Sequence, residues 1–182
     1  MTDAAGAVMM PSPSGQRHDT GTRTVLFTDI VGSTELTQRV GDEAAFAVVE
    51  RHDELVRAAV AQTDGRLVKH TGDGIMAVFA SVVAAVRCAN EIQRVLSAGE
   101  TFAVRIGLAA GEPVERDGDF FGGAVQLAAR LCSHAAPREI LVSSAVADLC
   151  IGKGFAFDDL GSVSLKGFAT PVPIRRATYA VA

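Results

Sequence analysis

The alternation of apolar and polar positions along the chain predicts strands and amphipathic helices that follow one another. The run TRTVLFTDI, residues 22–30, is apolar and β-branched, as is typical of a buried strand. From Ala45 to Val60 apolar residues recur at helical spacing, and His52 falls on the same face of this predicted helix. A histidine on such a face can be a ligand, although a packed or capped histidine is the commoner arrangement.

Turn signals divide the rest of the chain. Ser33 or Thr34, and then Asp42, are good N-caps and predict a short helix followed by a long one. The turn GDG, with Asp73 at its tip, joins predicted strands at RLVKH and IMAVFA. Later segments predict a helix at SVVAAVRCANEIQRVL and then a strand pair or one bent strand at TFAVRIGLAAGEPV. The glycine-rich GDFFGG leads into a predicted helix at AVQLAARLCSHA, and a predicted strand at EILVS follows. The last predicted elements are a short helix at 146–150 and two strands near 161–165 and 172–176. Helices that alternate with hairpin-connected strands favour an α+β fold of ferredoxin-like type, with a mostly antiparallel sheet flanked by helices, over a doubly wound sheet.

Composition bounds the domain organisation and the class of partner. Of the 182 residues 48% are hydrophobic, which is enough for one substantial core. The net charge of −4 and the pI of about 5.5 argue against a general nucleic-acid binder, which usually has a basic face. We expect residues 1–21 to form a disordered leader and residues 22–182 to form a single domain.

Targeting signals and cysteine usage predict a cytoplasmic protein. The N-terminal segment has no basic region followed by an apolar stretch, so it does not resemble a secretory signal. No apolar run approaches the ~18 residues that a membrane span needs. The cysteines are odd in number and have no metal-like spacing, so we expect packing residues rather than a disulfide framework or a metal site: Cys88, Cys132 and Cys150.

Two aspartates stand at positions that suggest metal binding. Asp29 closes the first strand and Asp73 lies on the turn between the next two, and these elements are neighbours in a ferredoxin-like sheet. Two carboxylates that converge repel each other unless a cation neutralises them, and Mg²⁺ is typically held by one or two carboxylates plus substrate phosphates. Two simpler interpretations stay open, namely a turn aspartate at Asp73 and a helix-capping carboxylate at Asp29.

The segment that follows Asp29, IVGST, indicates an anion site. Free backbone N–H groups and the positive end of the helix dipole attract phosphate at a helix N-terminus, here Gly32, Ser33 and Thr34. A carboxylate pair that holds metal beside such a site suits phosphoryl or nucleotidyl transfer. A plain capped helix start is the alternative. No GxxxxGK[ST] pattern occurs, so the chain is not a P-loop enzyme.

Four further polar residues lie near these elements. Lys69 precedes Asp73 by four residues on one predicted strand, which would place both on one sheet face. Asp119 precedes a glycine-rich helix start, and Gln126 and Arg130 share one face of that helix. Taken singly, each also fits a surface lysine, a loop acid or a solvated helix residue.

The ordered set of motifs resembles the class III nucleotidyl cyclase catalytic domain over nearly all of residues 22–179. The matching stretches are TVLFTDIVGSTEL, GRLVKHTGDGIMAVF, VRIGLAAGEPV, GDFFGGAVQLAARL and, more weakly, LKGFATPVPI. The resemblance implies a ferredoxin-like cyclase fold that dimerises head to tail. It also implies conversion of ATP to 3′,5′-cyclic AMP and pyrophosphate with two Mg²⁺ or Mn²⁺ ions, at composite sites that a lone protomer lacks.

The resemblance also implies a role for each matching residue. Metal ligands are implied at Asp29, Asp73 and the Ile30 carbonyl. Readers of the base are implied at Lys69 and Asp119. Groups that orient the ribose and stabilise the transition state are implied at Gln126 and Arg130, and a weaker triphosphate contact at Lys166.

Two of these positions decide between alternatives. An aspartate acceptor and a lysine donor complement the N6 amine and N1 of adenine, whereas guanine presents the reverse pattern, so Lys69 with Asp119 favours ATP over GTP. Gln126 stands where the family has asparagine, and its extra methylene moves the amide by roughly 1.5 Å. A catalytically weak or silent nucleotide-binding module is therefore the main alternative, and a guanylate cyclase is the less favoured one.

Overall fold

The computed structural model describes residues 21–179, so the predicted leader lies outside the described residues except for Gly21. The strands are β1 Arg23–Ile30, β2 Arg66–His70, β3 Ile75–Phe79, β4 Val104–Gly111, β5 Val114–Arg116, β6 Asp119–Phe121, β7 Ile140–Ser143, β8 Ala156–Val163 and β9 Val172–Thr178. The helices are α1 Ser33–Val40, α2 Asp42–Gln62, α3 Val82–Gly99, α4 Gly123–His134 and α5 Ser144–Leu149. None of these helices is long and apolar enough to cross a membrane.

The sheet confirms the predicted α+β class. Seven strands lie in the order β2-β3-β1-β4-β7-β9-β8, and all neighbours are antiparallel except β4 and β7. Residues of α2, α3 and α5 pack in the larger core on one face, whereas α4 covers the other face. All three cysteines are free and buried, so the expectation of packing residues is confirmed.

Both helix starts after β1 were predicted too late, by one or two residues for α1 and by one residue for α2. Ser33 and Asp42 are the first helical residues, and the cap positions belong to Gly32 and Gly41, with no side-chain cap on either helix. Gly32 adopts a left-handed conformation, φ 69°, which lets the chain leave β1 and enter α1 within two residues. The sharpness of this turn, rather than side-chain capping, therefore sets the start of α1.

The segment between β4 and α4 also differs from the prediction. β5 does not pair with β4, and GDFFGG is not simply a lead into the helix, because β5 and β6 form a separate two-stranded sheet. Arg116 faces Asp119 across a two-residue turn in which Asp117 and Gly118 both have positive φ, 53° and 80°. Asp-Gly at such a turn is a strong hairpin signal, which the sequence carried.

Side chains along β1 alternate between the two faces of the sheet. Leu26 and Ile30 belong to the core beneath α2 and α3, whereas Val25 packs with Ala128 of α4. Thr28 lies on the first face and is buried, so Asp29 projects on the opposite face, beside α4. The period of two thus separates Asp29 from the core and points it toward α4.

Helix α4 approaches β4 closely at Gly107. A Cβ at this position would lie 2.2 Å from the amide nitrogen of Cys132 and 2.3 Å from the carbonyl oxygen of Ala128. Both atoms belong to the helix backbone, which cannot move aside without shifting the whole helix. Gly107 therefore fixes the distance between α4 and the sheet.

We expect Gly107→Ala to lower the free energy of unfolding by about 1–3 kcal/mol, because the added methyl group pushes α4 off the sheet. Urea denaturation followed by circular dichroism measures the change. Gly99→Ala is the matched control, since a Cβ at Gly99 meets nothing within 4 Å and should leave stability unchanged or slightly raised. Equal stability of Gly107→Ala and the unmodified chain would contradict this packing argument.

Candidate active site

The ends of β1 and β3 bring the two candidate metal-binding aspartates together. Phe27 pairs with Met76, and continuing this antiparallel register places Gly74 opposite Asp29, with Asp73 next to it. A Cβ at Gly74 would lie only 2.0 Å from the carbonyl oxygen of Thr28. The turn that carries Asp73 therefore rests directly on the backbone that precedes Asp29.

Asp29 forms an ion pair that the sequence did not predict. Arg105 lies directly opposite in β4, and its Nε donates to Asp29 Oδ2 at 2.6 Å. Its Nη1 donates to the carbonyl of Ser133 at 2.9 Å, near the end of α4. Arg105 thus holds a positive charge against the carboxylate. The motif VRIG contained this residue, but its partner depends on a strand pairing across 76 positions.

Asp73 has neither a hydrogen bond nor an ion pair within residues 21–179, and both aspartates are partly exposed. No group of three or more potential metal-ligating side chains occurs in the same part of the chain. Two adjacent carboxylates, one unpaired and one already neutralised by a cation, fit a divalent ion that takes its remaining ligands from a phosphate substrate and water. They do not form a closed protein cage.

The predicted anion site lies at the start of α1, three residues after Asp29. Leu36 N–H bonds the carbonyl of Gly32, as expected for the first helical turn. The amides of Ser33 and Thr34 precede this bond and belong to the unpaired N–H groups of a helix start. A carboxylate oxygen of Glu35 lies 3.6 Å from where a Cβ of Gly32 would be, so an acidic side chain lies beside the predicted anion site.

Lys69 and Asp119 form an ion pair with each other. Lys69 Nζ lies 2.5 Å from Asp119 Oδ2, and this contact lowers the pKa of Asp119. The expectation that Lys69 and Asp73 share one strand was wrong, because β2 ends at His70 and Asp73 lies in the turn. Lys69 instead faces the β5–β6 hairpin, with Nζ 6.0 Å from the ring centre of Phe121.

The three remaining candidates lie together on a different surface. Gln126 and Arg130 of α4 and Lys166 after β8 line one cavity of about 390 Å³. All three side chains are exposed, and among the described residues neither Arg130 nor Lys166 has an ion-pair partner. The cavity is therefore a basic surface with an amide at its side.

The sequence-predicted residues thus fall into three groups in one protomer. The described residues show no hydrogen bond or ion pair that joins the aspartates, the Lys69–Asp119 pair and the cavity of α4.

His52 is packed and hydrogen-bonded, which is the commoner of the two arrangements weighed from the sequence. It is fully buried and contacts Thr28 Oγ1 through Nε2 at 3.1 Å and Asp53 Oδ1 through Nδ1 at 3.0 Å. Burial lowers its pKa below the ordinary value of 6.5, although Asp53, Asp73 and Asp29 act in the opposite direction. His52 is therefore neutral in the folded chain at pH 7.

The fold is that of a class III nucleotidyl cyclase domain. The chain belongs to the adenylate and guanylate cyclase catalytic domain family, whose model matches residues 16–181. This match confirms the resemblance drawn from the motifs. The family normally uses divalent metal ions.

Individual relatives agree with the family. An adenylate cyclase of Streptomyces griseus is 34% identical over 154 residues, 84% of this chain and 38% of that protein. An adenylate cyclase of Streptomyces coelicolor is 36% identical over 123 residues, 67% of this chain and 32% of that protein. The crystal structure of an adenylate/guanylate cyclase/hydrolase from Silicibacter pomeroyi has a TM-score of 0.78 at 33% identity, covering 87% of this chain and 97% of that one. The chain spans about a third of the length of its two Streptomyces relatives.

The low pKa of His52 predicts a loss of stability in mild acid. The unfolded chain takes up a proton near pH 6.5 that the folded chain does not, so the free energy of unfolding should fall as the pH is lowered through this value. Urea denaturation between about pH 7.5 and about pH 5.5 measures the slope. His52→Gln, which cannot titrate, should flatten it, whereas replacement of the exposed His134 by Gln should not. An unchanged slope in His52→Gln would contradict the prediction.

Proposed function

We propose that this domain is an adenylate cyclase that converts ATP to 3′,5′-cyclic AMP and pyrophosphate at the interface of a homodimer. The observation that carries the proposal is the distribution of unpaired charge. Asp73 stands free beside Asp29 at the end of β1, and Arg130 and Lys166 stand free on the surface of α4. Carboxylates that hold metal and cations that hold phosphate are both needed for nucleotidyl transfer, and no hydrogen bond or ion pair joins the two groups within residues 21–179.

The reaction forms a bond between the ribose 3′-oxygen and the α-phosphorus and breaks the bond from that phosphorus to the bridging oxygen, so pyrophosphate leaves and the 3′-hydroxyl proton is released. Divalent ions held by Asp29, Asp73 and the Ile30 carbonyl would supply Lewis-acid activation of the hydroxyl and charge neutralisation. The helix-start amides of Ser33 and Thr34 bind phosphate oxygens. When a metal ion binds Asp29, the guanidinium of Arg105 is released from this carboxylate and can contact the anionic phosphate.

The second protomer supplies the groups that orient the nucleotide. Arg130 stabilises the charge that develops on the α-phosphate, and Lys166 approaches the leaving phosphates. Gln126 positions the ribose through its amide. Because these side chains are exposed, a partner can dock on α4 without unfolding any part of it.

Lys69 and Asp119 select the base. The ion pair presents one donor and one acceptor side by side, and adenine offers the complementary N1 acceptor and N6 donor. Guanine at the same site would place its N1–H donor against the lysine donor and its O6 acceptor against the aspartate acceptor, which weakens binding. ATP is therefore the proposed substrate, and GTP the less favoured one.

Gln126 supports the second candidate, a slow or silent cyclase-like module that binds nucleotide. Its amide lies roughly 1.5 Å further from the helix than that of an asparagine, and catalysis is sensitive to such displacements. The free cations at Arg130 and Lys166 favour the active enzyme.

A cytoplasmic location is part of the proposal, since ATP is cytoplasmic and the three cysteines are free.

Complementation between inactive variants tests the composite site. We expect Asp29→Ala and Arg130→Ala each to abolish cyclic AMP formation from ATP and Mn²⁺, because each removes one half of both sites. Mixing the two should restore up to about a quarter of the unmodified activity, since half of the dimers are mixed and each holds one intact site. Product formation by chromatography measures the recovery.

The control and the contrary outcomes are direct. Asp73→Ala should be inactive, whereas Asp148→Ala, which removes an exposed carboxylate of α5, should retain activity. Failure of the mixture to recover would exclude the shared site. Absence of product from the unmodified chain at high protein concentration would favour the silent module.

A reversal of the base-reading pair tests the substrate. In Lys69→Glu with Asp119→Lys, donor and acceptor exchange places, so the preference for ATP over GTP should fall by at least about ten-fold in kcat/KM. The two rates with ATP and GTP measure the ratio.

The neighbouring ion pair between Arg66 and Glu115 offers a matched control. It also joins β2 to the hairpin, with Arg66 Nη2 2.8 Å from Glu115 Oε1. Arg66→Glu with Glu115→Arg should leave the ratio unchanged. An equal change of the ATP-to-GTP ratio in both double variants would show that the position of the hairpin causes the effect. It would contradict the assignment of Lys69 and Asp119 as base readers.

A further inference from the structure

A hydrogen-bonded network on the α2 face of the sheet fixes both ends of the turn that carries Asp73. On the side where the chain leaves the turn, Thr28 Oγ1 accepts the N–H of Ile75 at 3.0 Å and contacts His52 Nε2. On the side where the chain enters it, His70 Nδ1 lies 3.1 Å from Asp53 Oδ2. The turn is thus tied to two consecutive residues of α2.

The donors and acceptors of this network match along its whole length. Arg57 donates to His70 Nε2 at 2.7 Å, so Nε2 is an acceptor and the proton on Nδ1 is donated to Asp53. The other oxygen of Asp53 accepts the Nδ1 proton of His52. His52 Nε2 is then an acceptor and receives the hydroxyl proton of Thr28, whose lone pair accepts from Ile75. Neutral His52, as its low pKa requires, satisfies every group.

The network adjoins the candidate metal site, because Thr28 directly precedes Asp29 and Ile75 follows Asp73 by two residues. Thr28 precedes Asp29, and its carbonyl oxygen contacts the position of Gly74, which follows Asp73. Thr28 is 1% exposed and His52 is fully buried, so neither side chain is available to solvent or to substrate. Their polar atoms therefore act on the backbone that carries the two carboxylates.

We propose that Thr28 and His52 are positioning residues that hold Asp29 and Asp73 at the spacing needed for divalent metal, with Asp53 anchoring the histidine. The inference rests on the proposed function, because it assumes that the carboxylates bind metal. Neither residue touches substrate. Removal of the Thr28 hydroxyl leaves Ile75 N–H and His52 Nε2 without partners, which frees the junction between β1 and the turn.

Substitutions that remove or keep the hydroxyl of Thr28 test the inference. We expect Thr28→Val to raise the dissociation constant for Mn²⁺ by about ten-fold, in the range found when groups behind metal ligands are removed, and Thr28→Ser to change it by less than about three-fold. Binding of Mn²⁺ alone is followed by the decrease in the electron paramagnetic resonance signal of free Mn²⁺. The half-saturating Mn²⁺ concentration in the cyclase assay is the second readout.

A second pair of variants keeps the test valid if Thr28→Val does not fold. His52→Gln retains an acceptor at the position of Nε2, whereas His52→Asn retains only the group nearer the helix. Gln should therefore preserve more Mn²⁺ affinity than Asn. Thr63→Val is the control, since it removes a hydroxyl of the same kind at the end of α2, where Thr63 donates to the carbonyl of Ala59 at 2.7 Å.

The outcomes separate this inference from the proposed function. Wild-type Mn²⁺ affinity in Thr28→Val, with loss of binding in Asp73→Ala, overturns the positioning role and leaves the metal site in place. An equal loss in Thr63→Val also overturns it, because the effect then follows stability alone. Mn²⁺ binding and turnover that do not depend on Asp73 overturn both.

Discussion

The contact between the Gly74 backbone and the carbonyl of Thr28 is the constraint on which the candidate site depends. With 2.0 Å between a hypothetical Cβ and that oxygen, any larger residue would push the turn away from β1. The turn carries Asp73, and the next residue of β1 is Asp29. Two carboxylates that repel each other are thereby brought side by side by backbone packing, not by any attraction between them.

A neighbouring charge neutralises only one of these carboxylates, and hydrogen bonds hold the backbone that carries both. On the α4 face, the positive charge of Arg105 neutralises Asp29, and a second hydrogen bond to the carbonyl of Ser133 holds the guanidinium in place. On the other face, the network from Thr28 through His52 resists movement of the backbone. Asp73 receives no such balance from the described residues. The protomer alone is left with excess negative charge at this point, as suits a site that receives a cation.

Local patterns predicted the elements, and long-range pairing decided what the sequence could not predict. Asp29 at a strand end and Asp73 on a Gly-Asp-Gly turn follow from strand and turn patterns within about ten residues each. The Arg105–Asp29 contact depends on the register of β1 with β4, and the Lys69–Asp119 ion pair joins residues 50 positions apart. The β5–β6 hairpin was not predicted for a different reason. Its Asp-Gly turn is a local signal, but the glycines that follow it were interpreted only as a lead into α4.

The surface distribution of charge is the observation on which the proposed dimer rests. A carboxylate without a partner lies at one end of the sheet, and cations without partners line the cavity of α4. In an isologous dimer, any contact from the first surface to the second occurs twice, so both surfaces are satisfied together. In the proposed enzyme, the charge that each protomer leaves unbalanced is matched when metal, triphosphate and the second protomer meet, which would couple catalysis to assembly.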